Sequence, residues 1–213
     1  MSISKIESHV EQAKAHLIFA HGAGADKSSE FMTRFTQLLN DAAYSVTRFN
    51  FPYMDRRIAE DKKFPPDRMP KLLDCFEQVL TDCEQDLPLY LIGKSMGGRV
   101  AATLSGDSEI NSAHLTKIKG VICLGYPFHP IGKPEKLRMT PIETLKKTAL
   151  ILQGERDKLG DKEMIATLDI PKLCQVVFLP DGDHDLKPRV KSGKTHEQNL
   201  RQAVREIEVF IGE

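Results

Sequence analysis

The sequence predicts an α/β protein, a mostly parallel central sheet of about six or seven strands with helices on both faces, three layers in all. Three observations predict it. Short apolar runs alternate along the chain with amphipathic stretches of helical period. The runs are almost continuously apolar, as strands buried on both faces are. One run passes through a Gly-x-Ser-x-Gly turn directly into a helix-like stretch, a junction that belongs in such a sheet.

The elements follow in order. His16–Ala20 reads as a short strand, and Ser29–Ala42 as a helix with Phe31, Met32, Phe35, Leu38, Leu39 and Ala42 on one face. Val46–Phe51 is the next strand. Lys71–Asp86 is amphipathic, with Leu72, Phe76, Val79, Leu80 and Cys83 at helical spacing. Leu89-Tyr90-Leu91-Ile92 is a strand and Val100-Ala101-Ala102 lies in the helix after it; strands 120–124, Ala149–Gln153 and Gln175–Leu179 complete the sheet. The last helix opens with the capping-box pattern Thr195-His196-Glu197-Gln198 and runs to about Ile211 on Leu200, Val204, Ile207 and Phe210. Residues 55–68 and 105–119 read as loops, and 187–194 as a mobile basic segment.

Composition narrows the function. A chain of 213 residues is expected to fold as one domain, residues 1–213, around a sizeable core. Thirty basic and thirty acidic residues give a formal charge of zero, and no basic run argues for nucleic acid. The longest apolar stretches are strand-sized, so no membrane span is expected, and the mixed-charge N-terminus is not a signal peptide. The four cysteines show no metal-ligand spacing. Cys75 and Cys83, two turns apart on one expected helix, stand about 12 Å apart, too far for a disulfide. They read as reduced core thiols, and the expectation is a cytoplasmic protein. No metal or cofactor is expected.

The chemistry centres on Gly93-Lys94-Ser95-Met96-Gly97. This is the layout of a nucleophile elbow, in which a serine is held on a strained turn between strand and helix, with the helix N-terminus beside the charge that develops there. Glycines flank it because the backbones approach too closely for side chains. A phosphate-binding loop would share Gly93-Lys94-Ser95 but needs a glycine where this chain has Pro88, and an open loop where it has strand formers.

In such a sheet functional residues gather at the C-terminal ends of strands. After the first strand comes His21-Gly22-Ala23-Gly24-Ala25, small enough for backbone amides to reach a ligand. The N–H groups of Ala23 and Met96 are the expected oxyanion donors, with Gly24 in reserve and His21 structural. A serine hydroxyl needs an imidazole to take its proton and a carboxylate to orient the imidazole. Asp157 and His184 each stand just beyond a strand end, in the chain order Ser95, Asp157, His184. Glu155 is an alternative acid; Asp183 and Asp185 read as turn or surface groups. His129 could line the cleft but reads as packed or solvated. Phe51, Tyr53, Tyr126 and Phe128, all following strand ends, are candidates to line it.

Together these residues resemble the α/β-hydrolase superfamily over essentially the whole chain. The wording Gly93-Lys94-Ser95-Met96-Gly97-Gly98-Arg99, Gly125-Tyr126-Pro127-Phe128-His129-Pro130, Gln153-Gly154-Glu155-Arg156-Asp157 and Asp181-Gly182-Asp183-His184 is similar to that of a small, lidless branch. That branch resembles testis-expressed protein thirty and the hydrolase-like region of a subunit of a nuclear histone-acetyltransferase complex, with dienelactone-hydrolase-like and esterase-like relatives. The resemblance implies a serine at the middle of the sheet and names no substrate; the nuclear subunit is regarded as a scaffold.

Two departures from common esterase patterns carry expectations. Lys94 stands before the serine where many esterases have an aromatic, histidine or small residue; it either pairs with a carboxylate beneath the elbow or tunes the site. Residues 125–148 are too few for an inserted lid, so the cleft is expected to be shallow and open. The reading is a serine hydrolase acting on a small-molecule ester or thioester, without nucleic-acid or membrane partners; the alternative is a binding or scaffold protein on the same fold. Lys94, Arg99, Arg156, Lys187 and Arg189 lie near the motifs, and two or more facing the cleft would favour an anionic substrate.

Overall fold

The computed structural model describes residues 3–83, 86–106 and 116–212. Seven strands form one sheet in the order β1-β3-β2-β4-β5-β6-β7. They are β1 (Lys5–Ser8), β2 (Ala15–Ala20), β3 (Tyr44–Phe49), β4 (Leu89–Lys94), β5 (Ile118–Leu124), β6 (Thr148–Gly154) and β7 (Cys174–Leu179). Only β1 runs antiparallel, against β3; the other neighbours pair in parallel.

Alternate residues of each strand supply two cores. Leu17, Phe19, Ile92, Ile122 and Leu152 pack beneath α1 (Glu30–Asp41) and a long C-terminal helix, His196–Gly212. Ile18, Leu91, Val121 and Ile151 pack beneath α3 (Met69–Thr81) and α4 (Met96–Ser105). The apolar stripes that predict the helices are the faces they bury: Met32, Phe35, Leu38 and Leu39 on α1, and Leu72, Phe76, Val79 and Leu80 on α3. Two single-turn helices, α5 (Thr140–Glu143) and α6 (Lys162–Ile165), follow β5 and β6, and the C-terminal helix is α7. Its capping box is reciprocal: the Thr195 N–H donates to Gln198 Oε1 (2.8 Å) and the Gln198 N–H to Thr195 Oγ1 (3.2 Å). No lid domain is inserted after β5.

The structure departs from expectation in four places. Strand β1 carries no apolar run; it is a polar edge strand held by backbone pairing to β3. The first part of the expected loop 55–68 belongs to α2 (Pro52–Glu60), whose Asp55, Arg56 and Arg57 mask the two residues it buries, Tyr53 and Met54. Helix α3 ends at Thr81, leaving Cys83 outside it. Segment 187–194 is anchored: the Arg189 guanidinium and N–H both bind Asp181, and Val190–Ser192 forms a 3₁₀ turn. Most of the expected loop 105–119 lies outside the described residues.

Candidate active site

Strand β4 ends at Lys94 and α4 begins at Met96, so Ser95 alone makes the turn, at φ 52° and ψ −114°. A non-glycine residue rarely holds that backbone, and here neighbours on both sides fix it. The Ser95 N–H donates to the Leu124 carbonyl of β5 (2.9 Å). A Cβ on Gly93 would stand 2.1 Å from the Gly97 carbonyl carbon, and one on Gly97 would stand 2.4 Å from the Ala20 carbonyl oxygen of β2. The two glycines of the motif are therefore steric requirements of the turn.

The hydroxyl so presented meets His184: Ser95 Oγ is 2.8 Å from Nε2. The other ring nitrogen, Nδ1, is 2.8 Å from Asp157 Oδ2. A carboxylate on Nδ1 places the ring proton there and leaves the Nε2 lone pair for the serine. Asp157 is fully buried and receives two further donors, Gln153 Nε2 on Oδ2 (2.9 Å) and the Leu159 N–H on Oδ1 (2.8 Å). The Gln153 amide also faces the Gly160 and Tyr126 carbonyls at 2.9 and 3.2 Å, acceptors that fix which way it points. Sequence reasoning missed Gln153, although a glutamine ending an apolar strand is a signal. Glu155, the alternative acid, turns away to Lys162 (2.9 Å) and the Asp181 N–H (2.8 Å). Asp183 accepts the Asp185 and Lys187 N–H groups, as a turn residue does.

The glycine-containing loop after β2 runs beside the elbow, since a Cβ on Gly22 would lie 3.6 Å from Ser95 Cβ. Among the described residues, neither the Ala23 nor the Met96 N–H has an acceptor, so both remain available to an incoming oxygen. The loop is buttressed from below. Tyr53 Oη and Arg57 Nη1 donate to the Ala23 carbonyl (3.1 and 3.0 Å), and Arg57 stacks over the Tyr53 ring. His21 donates from Nδ1 to the Gly22 carbonyl (2.6 Å) and accepts the Phe51 N–H at Nε2 (3.1 Å); burial pushes its pKa down to about 4.

The four aromatic residues expected to line the cleft do not. Phe51, Tyr53, Tyr126 and Phe128 are fully buried. Helix α2 starts at Pro52 and turns Phe51 and Tyr53 under the loop, while the Tyr126 hydroxyl is tied to the Arg138 carbonyl (2.8 Å) beneath residues 126–138. His129 is buried too, bonded to the Pro130 carbonyl (2.8 Å).

A sequence model of the alpha/beta hydrolase domain matches residues 13–212. This chain belongs to the alpha/beta hydrolase family. Its architecture is that of several solved relatives. A serine hydrolase homologue from Coxiella burnetii aligns with a TM-score of 0.70 and 16% identity over 95% of this chain and 90% of that one. The dienelactone hydrolase of Anabaena variabilis gives 0.67 and 16% over 95% and 89%. A serine hydrolase without lid from Xanthomonas campestris gives 0.65 and 18% over 96% and 88%.

In this alpha/beta hydrolase an open cleft of about 450 Å³ lies over Ser95 and His184. Its apolar walls are Phe31 and Met32 of α1, Leu159, and Ile131 at the rim, residues that no sequence motif marks. The basic residues near the motifs are mostly paired elsewhere. Arg156 and Arg189 both hold Asp181, and Lys94 binds Asp185 (3.2 Å). Of the five, only Lys94 lines this cleft; Lys187 lines an adjoining cavity.

Proposed function

We propose that this protein is a serine hydrolase of small carboxylic esters or thioesters, working through an acyl-enzyme on Ser95. His184 Nε2 accepts the serine proton as Oγ attacks the acyl carbon. The N–H groups of Met96 and Ala23 receive the oxyanion, which the N-terminus of α4 also stabilises. His184 then protonates the leaving alkoxide or thiolate. Water enters, gives its proton to His184 and attacks the acyl carbon, and Ser95 departs with that proton. Asp157 orients the ring and stabilises its protonated form without taking the proton itself. The reaction so written draws on no metal or cofactor.

The observation that carries this reading is the run Ser95 Oγ–His184 Nε2 and His184 Nδ1–Asp157 Oδ2, each 2.8 Å, open to the cleft at one end and closed on a buried carboxylate at the other. Apolar walls and paired charges favour a neutral substrate with a compact acyl group, and the free thiols of all four cysteines fit a reducing, cytoplasmic setting. The test is steady-state hydrolysis of 4-nitrophenyl acetate and butyrate. Ser95→Ala should lower kcat by roughly 10³-fold or more; undiminished turnover would rule out this nucleophile, and no turnover by the folded wild-type protein would leave a binding role for the fold.

A further inference from the structure

Ser95 and His184 sit at the ends of β4 and β7, with β5 and β6 between them, so the loop bearing the histidine must overhang two strands to reach the serine. Lys94, the residue before the serine, spans that gap. Its side chain leaves β4 on the α1 face, where its ammonium lies over the Phe31 ring (5.6 Å to the centroid). It is 6% exposed, and it donates to the His184 backbone carbonyl at 2.7 Å while pairing with Asp185 at 3.2 Å. The same carbonyl is also confined by the residue after β5, since a Cβ on Gly125 would stand 2.8 Å from it. We propose that Lys94 is a positioning residue for the reaction: anchored in the elbow, it clamps the His184 carbonyl and Asp185, and so sets the imidazole at bonding distance from Ser95. This rests on the hydrolase reading above.

Two features make the role more than a surface ion pair. The charge is buried, so burial pulls the Lys94 pKa down while Asp185, Asp157 and Asp183 oppose the shift; an ammonium kept there needs its partners. Its hydrogen-bond acceptor and its ion-pair partner both belong to the catalytic-histidine loop, while the Phe31 ring of α1 covers it from above. A misplacement of about 1 Å between reacting groups costs about 10²-fold in rate, which one released loop is enough to cause.

Lys94→Met keeps the length of the stem and removes the clamp. Charged groups beside the histidine are Asp157 of the β6 end, on its Nδ1, and Lys94 of β4, on its carbonyl; Asp183 and Asp185 flank it in its own loop, and His196 of α7 binds the Asp185 carbonyl (2.8 Å). Removing the cation from this set makes the imidazolium easier to form, whereas Asp185→Asn makes it harder. The experiment measures 4-nitrophenyl acetate hydrolysis from pH 5 to 9, with fluorophosphonate labelling of the wild type and thermal melts of all three proteins. Lys94→Met is expected to lower kcat by roughly 10- to 100-fold, with KM within about threefold, and to move the acid limb of kcat/KM to higher pH. Asp185→Asn, altered at the exposed end of the pair, is expected to melt like the wild type, lose several-fold in kcat and move the acid limb to lower pH. A folded Lys94→Met protein with wild-type kcat and profile overturns the proposal. Should Lys94→Met fail to fold, an Asp185→Asn protein indistinguishable from wild type overturns it instead. Wild-type protein that is not labelled overturns the hydrolase reading as well.

Discussion

Replacing Asp157 with asparagine preserves the shape of the side chain and removes its charge, and the side chain can then no longer satisfy all of its partners. The carboxylate accepts three bonds and donates none: His184 Nδ1 and Gln153 Nε2 on Oδ2, and the Leu159 N–H on Oδ1. An amide must place its NH₂ on one of those two sides. On the Oδ1 side it confronts the Leu159 N–H. On the Oδ2 side it confronts the Gln153 NH₂ and forces the His184 proton from Nδ1 to Nε2, where no lone pair remains for the Ser95 proton. Each buried donor left without an acceptor costs about 1–3 kcal/mol, so Asp157→Asn should lose about 2–4 kcal/mol of stability. Loss of the charge that stabilises the imidazolium, together with the tautomer change when the NH₂ takes the Oδ2 side, should lower kcat by roughly 10³- to 10⁴-fold, with little change in KM. Urea unfolding and 4-nitrophenyl acetate kinetics on the same preparation read both quantities. A folded Asp157→Asn protein within tenfold of wild-type kcat would mean that something other than this carboxylate orients the ring.

Three further outcomes are expected. Gly97→Ala puts a methyl group 2.4 Å from the Ala20 carbonyl and 2.7 Å from that of His21; it should cost about 3 kcal/mol and displace the elbow enough to lose activity, so near wild-type melting and turnover would contradict the steric account. Burial pushes His16 and His21 down to about 4 in the fold, against about 6.5 unfolded. The unfolded chain binds more protons between those values, so the contribution is complete above about pH 6.5 and is lost as pH falls toward 4, about 2 kcal/mol per ring between pH 7 and 5. Urea midpoints that hold steady over that range, or an NMR titration with either ring protonated at pH 6, would refute it. Because the ammonium lining the cleft is paired, matched neutral and anionic esters should show no salt-sensitive preference for the anion; a strong preference that fades with salt would show that the pairing opens for substrate.

The parts of the molecule readable from sequence are those fixed by local pattern. Strand-end positions and chain order marked Ser95, Asp157 and His184, because each follows an apolar run whose end the sheet brings to one edge. Periodicity marked α1 and α3 because their stripes are also their buried faces. What was not readable depends on tertiary direction. Phe51 and Tyr53 follow a strand end as a cleft residue would, yet α2 begins at Pro52 and rotates them beneath the glycine-containing loop after β2. Asp185 looks like a solvated loop acid until Lys94, 91 residues earlier, is seen to reach it. Gln153 continues an apolar strand in sequence, and only the bend at Gly154-Glu155-Arg156 brings its amide back onto Asp157. Strand β1 has no pattern of its own, since its partner's backbone makes it.

The central claim is that Ser95 is a nucleophile activated by His184, and covalent capture tests it most directly. The protein is treated with a fluorophosphonate at neutral pH, digested, and the modified residue located by mass spectrometry. The account predicts one adduct per chain, on Ser95, formed more slowly as pH falls and the imidazole takes up a proton, and absent from Ser95→Ala. No adduct on folded wild-type protein, or an adduct equally abundant in Ser95→Ala, would contradict it.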